Sequence, residues 1–233
     1  MTPGQPSWWR RDAAVAALGL ALLLLWDVSG ADLPLTRQFG NPQGFAWRDA
    51  WLTRTLLHDG GRLLGWALLA AMLLALWRAP AGGPARPERL RWLGAVLVCL
   101  LLVPALKRFS LTSCPWDLAE FGGVAAHVSH WRLGVADGGD GHCFPSGHAV
   151  AAFAFFALYF QWRRSRPALA RGWLIVVCGV GLLFGLAQLA RGAHFASHTL
   201  WSAWLCWTVC ALADRLPWPR QRLNQGAAAA PTS

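Results

Sequence analysis

His142-Cys143-Phe144-Pro145-Ser146-Gly147-His148 runs without a break into the apolar stretch Ala149 to Phe160. The Pro-Ser-Gly-His turn reads in two ways. As plain structure it starts a helix, with Ser146 as the cap, Gly147 for close approach and His148 incidental. As chemistry it puts backbone N–H groups and an imidazole at the mouth of a helix. Four residues alone do not decide between these readings. Context does more. Further along, Arg191-Gly192-Ala193-His194-Phe195-Ala196-Ser197-His198 opens another apolar run. Two His-bearing turns at the ends of apolar helices point to one polar site at one membrane face.

The composition supports a membrane setting. Of 233 residues, 55% are hydrophobic and only 14% charged, with 16 Trp and a mean hydropathy of +0.36. A soluble domain carries about a quarter of its residues as charges, so the chain reads as a membrane protein. The net charge is +10. In a soluble protein that would suggest nucleic acid. Here the Arg residues cluster between apolar runs, so topology explains them and no nucleic-acid partner is expected. There is no internal repeat. Residues 1–225 read as one domain, with the core motifs in 107–202, and residues 226–233 read as a disordered tail.

The apolar runs are Ala13–Trp26, Leu63–Trp77, Trp92–Leu106, Ala149–Trp162, Trp173–Ala190 and Leu200–Ala213. The first follows Arg10-Arg11, so a signal-peptide core or a twin-Arg export signal competes with an uncleaved span. Trp8, Trp9 and Trp26 bracket it as interface anchors and favour the span. From Phe45 to Arg62, apolar residues recur at helical spacing between charges, which predicts a short amphipathic helix on the membrane surface. Several runs fall short of the roughly 20 residues a bilayer demands, so flanking residues must pack inside a bundle. The expected fold is an all-α membrane protein, a six-transmembrane-helix bundle with an extracytoplasmic active-site loop.

The N-terminus, 78–91, 163–171 and the tail are basic with few acids, whereas 29–62 and 107–147 balance bases with Asp and Glu. The positive-inside rule then expects both termini in the cytoplasm. Both His turns fall on the outer, periplasmic face of the cell (inner) membrane.

At that face Lys107, Ser146, Gly147, His148, Arg191, His194 and His198 can converge. His194 and His198 are four apart and share a helix face. The set combines an anion cradle of cations and helix-start N–H groups with imidazoles for nucleophilic and acid–base work. Each residue has a plainer reading. Lys107, Arg108 and Arg191 can snorkel at helix ends, and His198 can be a helix-face hydrogen bonder. His58, His127 and His130 read as surface or interface residues without a role. A zinc site from His142, His148, His194 and His198 is an alternative, against which stands the lack of the Glu that accompanies such pairs in metalloproteases.

The order Lys, then Pro-Ser-Gly-His, then a Gly-x-His turn resembles the type 2 phosphatidic acid phosphatase superfamily, which includes membrane lipid phosphatases and vanadium haloperoxidase-like acid phosphatases. Its pattern is KxxxxxxRP, PSGH and SRxxxxxHxxxD. The middle motif matches fully. The first matches at Lys107 and Pro115 but has Cys114 for the Arg. In the third His194 matches, with Ala187, Gln188 and His198 at the Ser, Arg and Asp positions. The resemblance implies a six-helix membrane bundle that dephosphorylates lipid phosphates or pyrophosphates through a phosphohistidine, with no metal or other cofactor. It implies His194 as nucleophile and His148 as acid and base. Lys107, Arg191 and the Ser146–Gly147 N–H groups would hold the phosphate, Arg191 standing in for the missing arginines. His198 would orient His194 by accepting a hydrogen bond in the carboxylate's place. Cys114 and Cys143 share the outer loop, and an oxidising compartment would allow a disulfide between them.

The leading reading is a lipid phosphatase acting on a substrate from the bilayer. A phosphotransferase of the same superfamily differs only in the acceptor. A degenerate member that binds anionic lipid is kept alive by Cys114, Gln188 and His198. A transporter fits poorly, with no inverted repeat. The lipid and the oligomeric state are left open.

Overall fold

A computed structural model describes residues 8–78 and 83–216. The tail 226–233, expected to be disordered, lies outside the described residues. Helix α1 (Trp8–Ser29) has 22 residues, about 33 Å at 1.5 Å per residue, enough for a hydrocarbon core of roughly 30 Å. Leu18, Leu22 and Leu25 line an exposed stripe along it, and only lipid suits such a face. A short α2 (Asp32–Thr36) follows. Then come α3 (Gly61–Trp77), α4 (Arg86–Arg108), α5 (Val150–Phe153), α6 (Phe156–Trp162), α7 (Pro167–Ala190) and α8 (Ala196–Arg215).

Among the described residues four helices are long and apolar enough to cross a membrane: Trp8–Ser29, Leu52–Trp77, Arg86–Arg108 and Pro167–Ala190. The second of these corrects the expected surface helix. Residues 52–60 form a π-helical segment that runs straight into α3. Gly60 and Gly61 both hold right-handed helical angles, so nothing bends the chain onto the surface. The amphipathic pattern instead reflects a helix end with one face turned to a polar cavity.

The fourth apolar run is also divided, into α5 and α6 on either side of a turn at Ala154–Phe155. Nearly every residue from Val150 to Trp162 is buried. A helix buried all round faces protein, not lipid, which is why a short one suffices. It sits in a core of Trp92, Val96, Cys99, Phe153, Phe156, Phe160, Cys206 and Cys210. Trp92, Val96, Cys99 and Val103 supply the α4 stripe at helical spacing, and Trp92 packs on Phe160 with ring centroids 5.5 Å apart. Helix α8 is tied to α1 by Trp204, whose Nε1–H donates to Ala16 O at 2.8 Å.

At one end of the bundle Arg163 is buried between two helices. Its guanidinium forms a forked pair with Asp12 of α1 at 2.8 and 2.9 Å and reaches Asp214 of α8 at 2.7 Å. Within the basic stretch 163–171 this residue is thus claimed by two carboxylates. Removing one partner of a buried pair strands charge in low dielectric. Arg163→Ala is expected to cost about 3 kcal/mol, read as thermal unfolding in detergent. A loss below about 1 kcal/mol would show the pair to be solvated.

At the other end a cap forms over the helices. The antiparallel pair β1 (Gly40–Asn41) and β2 (Gly44–Phe45) presents Phe45 to a second small core of Leu118, Phe121, Ala125 and Phe195. The loop from Phe109 to Gly147 completes this cap. A disulfide joins Cys114 to Cys143 within it, with Cα atoms 5.1 Å apart.

Candidate active site

Under the cap lies a cavity of about 400 Å³. Lys107 reaches it from the end of α4, Gly147 and His148 from the turn before α5, and Arg191 and His194 from the turn between α7 and α8. Local sequence explains the last turn. Helix α7 ends on Arg191, and Gly192 takes a left-handed conformation at φ +72°, the usual glycine stop. A Cβ there would run into the Phe45 ring. The N–H groups of Ala193 and His194 then fold back onto Gln188 O at 2.8 and 3.3 Å, which turns the His194 ring into the cavity.

His194 is 5% exposed. Its Nδ1 lies 3.4 Å from the Cys143 sulfur, leaving Nε2 as the uncommitted nitrogen. Burial, then the Lys107 charge, holds its pKa well below the ordinary value, so the ring is neutral and nucleophilic. His148 Nε2–H donates to Leu57 O at 3.2 Å, and its buried Nδ1 has no partner among the described residues. Burial, with the neighbouring His58, pushes His148 down to about 4. Lys107 arches over the turn: a Cβ on Gly147 would sit 3.9 Å from Nζ.

Not every expected residue faces the cavity. Ser146 is fully buried and its N–H is spent on His198 O at 3.1 Å. The Gly147 and His148 N–H groups make no hydrogen bond to a described residue and are the donors left for an anion. His198 does not line the cavity. Its ring centroid is 5.8 Å from that of His194, with no hydrogen bond between them, because His198 Nδ1–H donates to Cys143 O at 3.1 Å. The expected His198-to-His194 orienting bond is therefore replaced. His198 holds the motif backbone, and the disulfide sulfur faces the His194 ring.

Arg191 is held by Arg48 O, which accepts from Nε at 2.8 Å, and by Gln188 Oε1 at 3.3 Å. Buried Gln188 Nε2 has no described partner, and Gln188 lines the cavity. A stranded buried donor needs an acceptor, and an oxygen of an anion bound in the cavity would supply one. The one cluster of metal-ligand type among the described residues is Cys114, Cys143 and His194, and the disulfide leaves no thiolate in it.

Sequence reasoning missed His58 and Arg62, which also line the cavity. The signal was their i,i+4 spacing, but the surface-helix reading turned that face the wrong way. His58 stacks on His148 with centroids 4.6 Å apart. It also missed His130, whose ring stacks on Phe144 at 4.1 Å and pairs with buried Asp27 at 3.3 Å. Asp27 accepts from the Trp131 and Trp201 indoles too. These contacts brace the Pro-Ser-Gly-His turn from behind.

A neutral buried histidine binds its proton more weakly folded than unfolded. Stability from His148 is therefore complete above the unfolded value near 6.5 and is lost as pH falls through about 4. For this residue alone the loss is about 3 kcal/mol. Thermal unfolding in detergent across pH 7 to 4 is expected to show a falling midpoint, and a flat midpoint would contradict a neutral His148.

The PAP2 superfamily model matches residues 89–222, more than half of the chain. No curated protein matches. Among solved structures, the crystal structure of a transmembrane PAP2-type phosphatidylglycerolphosphate phosphatase from Bacillus subtilis is similar at 18% identity and a TM-score of 0.55. The match covers 87% of this chain and 93% of that one. Together with the long apolar helices, this makes the protein a mostly helical, multi-pass membrane protein. With its Lys107, Pro-Ser-Gly-His and His194 set inside the matched region, the chain belongs to the PAP2 superfamily.

Proposed function

We propose that the chain is an integral membrane lipid phosphatase that works through a phosphohistidine on His194 and needs no metal. One observation carries this reading. A neutral, buried His194 faces a cavity whose fixed charges, Lys107, Arg62 and Arg191, are all positive. The family and the shared fold support a phosphatase in general. The apolar helices around the cavity suit a substrate drawn from the bilayer. We read α5–α6 and α8 as completing six spans, with the cavity on the outer, periplasmic side of the cell membrane and both termini cytoplasmic. The basic ends and the oxidised Cys114–Cys143 pair support that orientation.

In the first step Nε2 of His194 attacks phosphorus and the bond to the leaving oxygen breaks. Lys107, Arg191, Gln188 and the Gly147 and His148 N–H groups stabilise charge on the equatorial oxygens. Phosphate dianion in the cavity favours protonated His148, which protonates the leaving oxygen. In the second step His148 Nδ1 takes a proton from water, the water oxygen bonds to phosphorus, and the N–P bond breaks back onto His194. Phosphate release from lipid mono- and diphosphates by purified protein with EDTA, beside His194→Ala, tests this. Release by the wild type alone supports it. No release by folded protein from any lipid would favour the anionic-lipid binder or the phosphotransferase.

A further inference from the structure

Two residues in the cavity belong to none of the motifs. His58 and Arg62 come from the junction of the π-helical segment and α3, one turn apart, and face the His148 side of the site. His58 Nδ1 is 2.9 Å from Asp59 Oδ1, which fixes that nitrogen and leaves Nε2 uncommitted. No hydrogen bond or ion pair holds the Arg62 guanidinium to another described residue.

Arg62 occupies a particular place. It lines the polar cavity and also an apolar groove walled by Trp66, Leu69, Leu100, Pro104 and Phe155. Gly147 and Ala151 are the other residues common to both. A lipid hydrocarbon lying in this groove would put its leaving oxygen at the neck between groove and cavity. A fixed cation at that neck is out of place for a neutral alcohol. It suits a leaving group that carries charge of its own.

We infer that the substrate is a lipid diphosphate, and that Arg62 and His58 form the subsite for its inner, lipid-bearing phosphate. This deepens the phosphatase reading and rests on it. The outer phosphate sits between His194, Lys107 and Arg191. Nε2 of His194 attacks the outer phosphorus, the bond from that phosphorus to the bridging oxygen breaks, and the electron pair leaves with the lipid monophosphate. Arg62 neutralises the charge that gathers there. Water then releases the second phosphate as inorganic phosphate, as above. A lone alkoxide leaving group demands the proton of His148, whereas a phosphate leaves readily without one, so the diphosphate reaction depends less on that proton.

The test is steady-state phosphate release in detergent from a lipid diphosphate and the monophosphate of the same chain, by wild type, Arg62→Ala, Arg62→Lys and His194→Ala. Wild type is expected to favour the diphosphate. Arg62→Ala is expected to lose about 10- to 100-fold in kcat/KM on the diphosphate, the worth of one charge-assisted contact, with a much smaller loss on the monophosphate. Arg62→Lys is expected to recover part of it. Equal loss on both substrates, or a wild type that prefers the monophosphate, overturns the inference and leaves the phosphatase reading intact. Release unaffected by His194→Ala overturns the phosphatase reading itself.

Discussion

Phosphate release by the His194→Ala variant is expected to fall by about 10⁴-fold or more, the scale on which losing a nucleophile is measured. His148 and His58 lie together on the other side of the cavity, stacked at 4.6 Å, and His198 points to Cys143 O outside it. The expected loss is in kcat, because the Lys107 and Arg191 charges proposed to bind phosphate remain. The intermediate gives a second readout. Brief reaction with radiolabelled lipid phosphate followed by denaturation at high pH is expected to leave label on the wild-type chain. His148→Ala is expected to hold more, because the residue proposed to activate water is gone. An unlabelled wild type that still turns over would rule out the phosphohistidine.

Reducing the Cys114–Cys143 disulfide is expected to lower kcat by about 10²-fold, the cost of a catalytic group about 1 Å out of place. The disulfide sits at the centre of the site. Cys114 lines the cavity at the position where the family motif has Arg. The Cys143 sulfur faces His194 Nδ1 at 3.4 Å, and the Cys143 carbonyl receives His198. Opening the bridge frees a segment of 29 residues in sequence separation, and loop entropy puts the stability at stake between about 3 and 4 kcal/mol. The Cys114→Ser/Cys143→Ser variant is expected to match reduced wild type in rate and in unfolding temperature, and to ignore added phosphine reductant. Full activity in wild type whose mass shows both thiols free would mean that the bridge has no part in catalysis.

Much of the site was legible because its chemistry is local. Pro-Ser-Gly-His at a helix start, and Arg191-Gly192-Ala193-His194 at a glycine stop, announce themselves through turn chemistry that needs only neighbours in sequence. The cysteine pair was legible because both lie in one loop. What failed depended on which way a helix face points. The Phe45–Arg62 pattern of apolar and charged residues fits a helix on a membrane surface and a helix end bordering a polar cavity equally well. Its amphipathicity is the same in both cases, and only the packing of residues 52–60 against α7, and of α3 against α4 and α5, chooses. Likewise His198 is four residues from His194, yet the pair does not bond, because Cys143 O competes for His198 from a distant stretch of chain.

By itself the sequence determined the membrane setting, the helical class and the two His-bearing turns, since hydropathy and turn motifs are properties of short segments. Only the tertiary structure decided that Arg163 is buried between Asp12 and Asp214, that a disulfide sulfur faces His194, and that His58 and Arg62 border the cavity. Each of those depends on partners tens of residues away or on the rotation of a helix, and neither is encoded in any one stretch.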